Sequence, residues 1–245
     1  MTTSTLHEDI TNLLSQKKMC KIVFIGDSIT SAEWIHPNYR EIVEYALKTH
    51  YEKVLNDWKT PSWNIRCINA GFDGSTTKDI VTLFDENVLK YDPQIVLYQL
   101  GSNDNYFGIT DEEYRDNLQN TISQILNVKK NLLLMSDLPS GYPEHNEKYK
   151  PRKKILEDLA EKNSLPYLDL YSYFEDLDIT QFFSLISGGN EEAGIKRGEV
   201  DMIHPNIKGN AYIAKAILTT FFNIDFNVET YLEDLQDRTV FYPRF

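Results

Sequence analysis

Ile22-Val23-Phe24-Ile25-Gly26-Asp27-Ser28-Ile29-Thr30 is the stretch that decides the fold. Four apolar residues in a row predict a buried strand. Gly26 then allows a sharp turn, and a hydroxyl follows two residues later. A serine at the carboxyl end of a buried strand sits where open α/β sheets place their ligands. Serine alone is a weak nucleophile; it needs a base within reach and an acid that orients the base. The rest of the chain therefore has to be searched for a histidine with a carboxylate partner and for donors to an oxyanion.

Three further segments answer that search. Asp201-Met202-Ile203-His204-Pro205-Asn206 stands near the far end, and two others stand in the middle: Asn69-Ala70-Gly71-Phe72-Asp73-Gly74 and Leu100-Gly101-Ser102-Asn103-Asp104. Each middle segment follows its own apolar run. The four pieces in this order resemble the SGNH (GDSL-type) hydrolase family, named for one Ser, Gly, Asn and His from four sequence blocks. The matching positions are Ser28, Gly71, Asn103 and His204, and the blocks span most of the chain.

Ser28 is the candidate nucleophile; its competing reading is a helix N-cap. The loop is not the Gly-x-Ser-x-Gly elbow of α/β-hydrolases, because Thr30 stands where the last glycine should be. His204 is the candidate general base. Asp201, three residues earlier, can bring a carboxylate to the imidazole Nδ1, and Pro205 suits the first position of a helix. Of the other histidines, His36 follows the serine loop, but nothing near it in sequence suggests an orienting acid. The resemblance implies three oxyanion donors: the Ser28 N–H, the Gly71 N–H and the Asn103 side-chain amide. Gly71 and Asn103 read equally as turn formers. Asp27 is expected to hold loops together through backbone N–H groups. An alternative set, Asp27, Asp104, Asp201 and His204, would converge on a metal.

Working outward, strands are expected near residues 21–26, 64–69, 94–100, 131–136 and 165–170. Helices are expected near residues 38–50, 77–89, 111–128, 152–163 and from Pro205 to about 222. Leu6, Ile10, Leu13 and Leu14 predict a short N-terminal helix, with Thr5-x-x-Glu8 in the form of a capping box. Residues 57–62, with Pro61, read as loop. Strands alternating with helices imply right-handed βαβ units and a parallel sheet covered on both faces. The expected fold is a three-layer α/β/α sandwich on a five-stranded parallel sheet. The resemblance adds a flavodoxin-like strand order. Residues 1–245 form a single domain in this reading. Residues 171–200, rich in Tyr and Phe at their start, are a candidate pocket-wall insertion; in the acidic, aromatic C-terminal tail 223–245, the stretch Tyr231–Phe245 would cover either the domain's own surface or that of a partner in a homodimer.

Composition narrows the chemistry. The 245 residues carry 25 basic and 37 acidic side chains, a net charge of −12, which argues against nucleic acid or an anionic membrane as the main partner. Cys20 and Cys67 read as core thiols. No run of apolar residues forms a signal peptide or a membrane span, so a cytoplasmic protein is the simplest expectation. No Gly-x-Gly-x-x-Gly, Walker A loop or His-Glu-x-x-His occurs, and no cofactor is expected. The expected activity is that of a serine esterase working through an acyl-enzyme on small-molecule, carbohydrate or lipid esters, with short acetyl-type acyl groups favoured. The alternatives are a lysophospholipase or thioesterase on longer chains, a non-catalytic binding module on the same fold, and a metal-dependent phosphoesterase.

Overall fold

Strand β1 (Cys20–Gly26) sends Ile22 and Phe24 to one face and Val23 and Ile25 to the other, and all four are buried, as alternation along a strand dictates. A strand apolar on both faces needs helices on both. The computed structural model, which describes residues 3–189 and 196–236, supplies them.

Helix α1 (Thr3–Ser15) precedes β1, and the single turn α2 (Ser28–Ser31) follows it. Then come α3 (Tyr39–Leu55), α4 (Lys59–Asn64), β2 (Ile65–Gly71), α5 (Thr77–Asn87) and β3 (Ile95–Gln99). The middle of the chain forms α6 (Asn103–Tyr106), α7 (Asp111–Asn127), β4 (Asn131–Met135), α8 (Pro143–Lys162) and β5 (Tyr167–Leu168). The last elements are α9 (Leu170–Glu175), β6 (Leu185–Ile186), β7 (Val200–Asp201), α10 (Ile207–Phe222) and α11 (Val228–Gln236). Strands β1 to β5 form one parallel sheet in the order β2-β1-β3-β4-β5. This is the expected three-layer sandwich with the flavodoxin-like order.

Each face has its own core. Helices α1, α3, α9 and α10 cover Ile22, Phe24, Leu97 and Leu133. Helices α5, α7 and α8 cover Val23, Ile25, Val96 and Leu134. Each such side chain taken from water stabilises the fold by about 1.5–3 kcal/mol. The strand order reverses between β1 and β3, so the crevice for a ligand opens beyond the carboxyl ends of these two strands. Cys20 and Cys67 are buried free thiols. Burial pushes the Cys20 thiol up to about 12, so it stays protonated. Among the described residues no helix is long and apolar enough to cross a membrane.

Several local expectations are corrected. Residues 57–62 are not all loop: α4 starts at Lys59. Pro61 falls in its first turn, where a missing N–H costs nothing. Helix α8 starts at Pro143, nine residues before the expected start, and runs through Pro151. Buried Tyr149 and Arg152 flank Pro151 and anchor that turn. The fifth strand is only two residues long, because Leu170 already begins α9. The last helix starts at Ile207 with Asn206, not Pro205, at its boundary: Asn206 Oδ1 accepts from Gly209 N–H. Helix α1 spans Thr3–Ser15, so the expected capping position, Thr5, lies within it.

Residues 171–189 and 196–200 do not line the cavity beside Ser28. Tyr171, Phe174, Phe182 and Phe183 enter the core instead, and β6 pairs with β7 to place Leu185 opposite Asp201. The start of the tail folds back on its own domain: Phe226 and Val228 are buried and Tyr231 packs beside them. Phe241-Tyr242-Pro243 lies outside the described residues.

Candidate active site

Ser28 is positioned by its two neighbours. Gly26 is required because an added Cβ would meet Thr30 Oγ1 at 1.9 Å. Asp27 caps the single turn α2: its carboxylate accepts the Ile29 N–H at 3.0 Å, the backbone role expected for it. Thr30 donates to Gln99 Oε1 at 2.9 Å and lies 2.6 Å from the Tyr39 hydroxyl. The hydroxyl at position 30 thus ties the serine turn to β3 and α3, a job that glycine could not do.

His204 comes from the other end of the chain. Its Nε2 lies 2.9 Å from Ser28 Oγ, and its Nδ1 lies 2.6 Å from Asp201 Oδ2. Asp201 Oδ1 also accepts the N–H groups of Ile203 and His204, at 2.8 and 3.1 Å. Burial pulls the Asp201 carboxyl up, but the hydrogen bond and charge of His204, with the two N–H groups, hold it below the usual carboxylate range. Residues 181–184 brace the loop from behind. Phe182 O accepts the Asn206 N–H at 2.7 Å, and the Asn206 amide reaches Gln181 O and Ser184 Oγ. A hydroxyl, an imidazole and a carboxylate in this line can activate the serine as a nucleophile and return the proton to a leaving group.

Asn103 opens α6 at the end of β3 and lines the same cavity as Ser28 and His204. Its amide donates one hydrogen to Ser75 O at 3.1 Å, which leaves the other available. Gly71 departs from expectation. It ends β2 in register with Gly26, it does not line the cavity, and its N–H is donated to Asn69 Oδ1 at 2.9 Å. Its lack of a side chain serves the protein instead: a Cβ would stand 2.7–2.8 Å from the Thr30 and Ser31 backbone. Gly74, three residues on, lines the cavity with φ +71°. Among the described residues nothing accepts a hydrogen bond from the N–H of Gly74 or of Ser28.

The alternative metal set does not assemble. Asp27 is spent on Ile29, and Asp104 accepts from the Thr77 N–H and hydroxyl. Burial pushes the Asp104 carboxyl up to about 6 despite these bonds. Among the described residues no three His, Cys, Asp or Glu side chains gather as metal ligands would. His36 is exposed and does not line the cavity; contrary to expectation it has an acid beside it, Glu41, whose Oε2 lies 3.3 Å from its Nδ1.

Other residues escaped that reading as well. Asp137, just past β4, lines the cavity and accepts from Gln99 Nε2 and, at 2.8 Å, from the Ser102 N–H. Burial pushes both Asp137 and Asp27 up, and for Asp27 the charge of Asp137 adds to the effect. Its place past the end of a parallel strand was a usable signal. Trp34 lies flat on His204, with ring centroids 4.0 Å apart and planes at 8°. Across the cavity, the Tyr106 hydroxyl meets His145 Nδ1 at 2.5 Å. No spacing in the sequence announced either pair. The cavity measures about 160 Å³, and among the described residues neither lysine nor arginine lines it.

A model of the GDSL-like lipase/acylhydrolase family matches residues 24–212 of this chain. An acetylxylan esterase of Geobacillus stearothermophilus is 24% identical over 217 residues, covering 81% of this chain and 92% of that protein. Among solved structures, a variant of Axe2, an acetylxylan esterase from the same organism, superposes with a TM-score of 0.65 at 20% identity, over 86% of this chain and 96% of that one. A lipase/acylhydrolase from Enterococcus faecalis does so with a TM-score of 0.64 at 22% identity, over 84% and 96%. LAE5, an α/β hydrolase enzyme from the metagenome of Lake Arreo, has a TM-score of 0.65 at 20% identity, over 84% and 98%. These structural likenesses are likenesses of fold.

Proposed function

Because this chain belongs to the GDSL-like lipase/acylhydrolase family, we propose that it cleaves short acyl esters of neutral, hydroxyl-rich alcohols, with Ser28, His204 and Asp201 as its catalytic triad. The observation that carries the reading is the unbroken line from Asp201 through His204 to Ser28 Oγ, at 2.6 and 2.9 Å.

Ser28 Oγ attacks the ester carbonyl as His204 Nε2 takes its proton. Asp201 holds the imidazole in the required tautomer and stabilises the imidazolium that forms. The carbonyl oxygen becomes negative and is met by the N–H groups of Ser28 and Gly74 and the Asn103 amide. His204 then passes the proton to the departing alcohol, leaving an acyl group on Ser28. Water, activated by the same imidazole, releases the acid and restores the serine.

Two features support the substrate class. The cavity is small beside the roughly 300–1,000 Å³ that encloses a drug-sized ligand, which favours acetyl-type groups over long chains. Among the described residues no lysine or arginine lines it, whereas the exposed Asp73 does, so an alcohol carrying phosphates, such as a phospholipid or a coenzyme thioester, would find no cation to hold it and a carboxylate beside it. The relatives add to this. Axe2 is an acetylxylan esterase, and its three catalytic variants replace a serine, an aspartate and a histidine by alanine. The last two lie three positions apart, as Asp201 and His204 do.

The test is hydrolysis of p-nitrophenyl esters from acetate to palmitate by the wild type and by Ser28→Ala. Activity on acetate that falls by several orders of magnitude in the variant is expected. Activity that rises with chain length would point to lipid or thioester substrates. Activity untouched by the substitution would sink the serine mechanism.

A further inference from the structure

We propose that Trp34 is a positioning residue for His204, holding the plane of the imidazole through a stack that Asp73 anchors. This rests on the reading of Ser28, His204 and Asp201 as a triad.

Two hydrogen bonds reach the His204 ring, one at each nitrogen. They set where the nitrogens point, but they resist tilting about the line between them only weakly. The His204 N–H bond to Asp201 and the brace from residues 181–184 hold the loop after β7, but they act on the backbone and not on the tilt of the ring. The Trp34 indole supplies what is missing: a flat surface 4.0 Å from the imidazole and within 8° of parallel.

A stack is useful only if the indole is itself held, and Trp34 is 38% exposed. Its Nε1 donates to Asp73 Oδ1 at 3.1 Å. Asp73 precedes Gly74 on the loop after β2, so the tether joins the serine loop, the base and the oxyanion loop. The indole face also carries the negative part of the ring quadrupole, which attracts a cation. The imidazolium formed during attack is therefore favoured over the neutral ring, an interaction that grows on the way to the transition state.

The test is the rate at which a fluorophosphonate labels Ser28, measured beside kcat and KM for p-nitrophenyl acetate. Labelling reports activation of the serine without a sugar subsite. Trp34→Leu is expected to slow both labelling and kcat by roughly 2- to 30-fold and to leave KM unchanged. Trp34→Phe should restore most of the loss, because it returns a ring to the stack. Asp73→Ala, at an exposed position, should slow labelling by less than Trp34→Leu does.

Wild-type labelling matched by Trp34→Leu would overturn this inference alone, and so would a change confined to KM. Should Trp34→Leu fail to fold, Asp73→Ala decides: slower labelling supports the tether, and an unchanged rate overturns it. A wild type whose Ser28 does not label would remove the triad reading and this inference with it.

Discussion

Asp201 Oδ2 and His204 Nδ1 meet at 2.6 Å within three residues of chain, and both side chains are buried. The pair fixes which imidazole nitrogen carries the proton. Asp201→Asn keeps the shape but presents an amide, which favours the wrong tautomer. Turnover should fall by about 10³- to 10⁴-fold, with KM little changed. Steady-state kinetics on p-nitrophenyl acetate checks this; a loss under tenfold would remove Asp201 from the triad.

Asn103 lines the cavity with one amide hydrogen to offer. If that hydrogen meets the developing oxyanion, Asn103→Ala should lower kcat by about 10²- to 10³-fold. The fold should survive, because the bond lost within the protein is a single one to Ser75 O. Melting curves beside kcat values separate the two effects, and a lower Tm with unchanged kcat would assign Asn103 to loop structure.

Gly71 and Gly74 should respond differently to alanine. At Gly71 the new Cβ lands 2.7–2.8 Å from the backbone of the serine turn, and overpacking of this kind costs about 1–3 kcal/mol. At Gly74 the Cβ meets nothing within 4 Å. The cost there is the left-handed backbone, about 1 kcal/mol. Denaturant unfolding should therefore rank Gly71→Ala below Gly74→Ala in stability; the reverse order would contradict the close approach of β2 to Thr30 and Ser31.

Asp104 gives the fold a pH dependence of unusual sign. Burial raises its carboxyl to about 6 in the folded protein against 3.8 as its ordinary value. Between these values the unfolded chain has released the proton and the folded one has kept it. Stability from this group is thus full at low pH and is lost as pH rises through about 6. Asp104→Asn removes the titration, so relative to the wild type the variant should gain about 2 kcal/mol between pH 4.5 and pH 7.5. Urea unfolding at the two pH values measures it. A constant difference would mean that Asp104 ionises normally.

Much of the architecture was legible because it rests on local rules. Short apolar runs announced β1 to β4, and the apolar residues Leu118, Ile122, Ile125 and Leu126 recur at helical spacing through α7, where all but Leu126 are buried. Prolines misled where their effect depends on position. Residues 57–62 with Pro61 read as loop, but Pro61 sits in a first turn; the helix expected near 152–163 starts at Pro143 and carries Pro151 inside it.

The sequence by itself determined the parallel sheet, the order of its blocks and four residues that meet at the candidate site, Ser28, Asn103, Asp201 and His204. Strand periodicity, turn chemistry and short spacings depend on neighbours along the chain, and a sequence displays those. Only the tertiary structure decided which glycine faces the cavity and what lies against the imidazole. Gly71 and Gly74 differ by three residues and carry the same absence of a side chain. The register of β2 against β1 turned Gly71 onto Thr30 and left Gly74 with an N–H that nothing among the described residues takes. Trp34 and Asp137 reach the site the same way, from loops that come together only because β1, β2, β3 and β4 end on one edge of one sheet. Contacts across that edge are set by packing of the whole core, and no spacing within the chain records them.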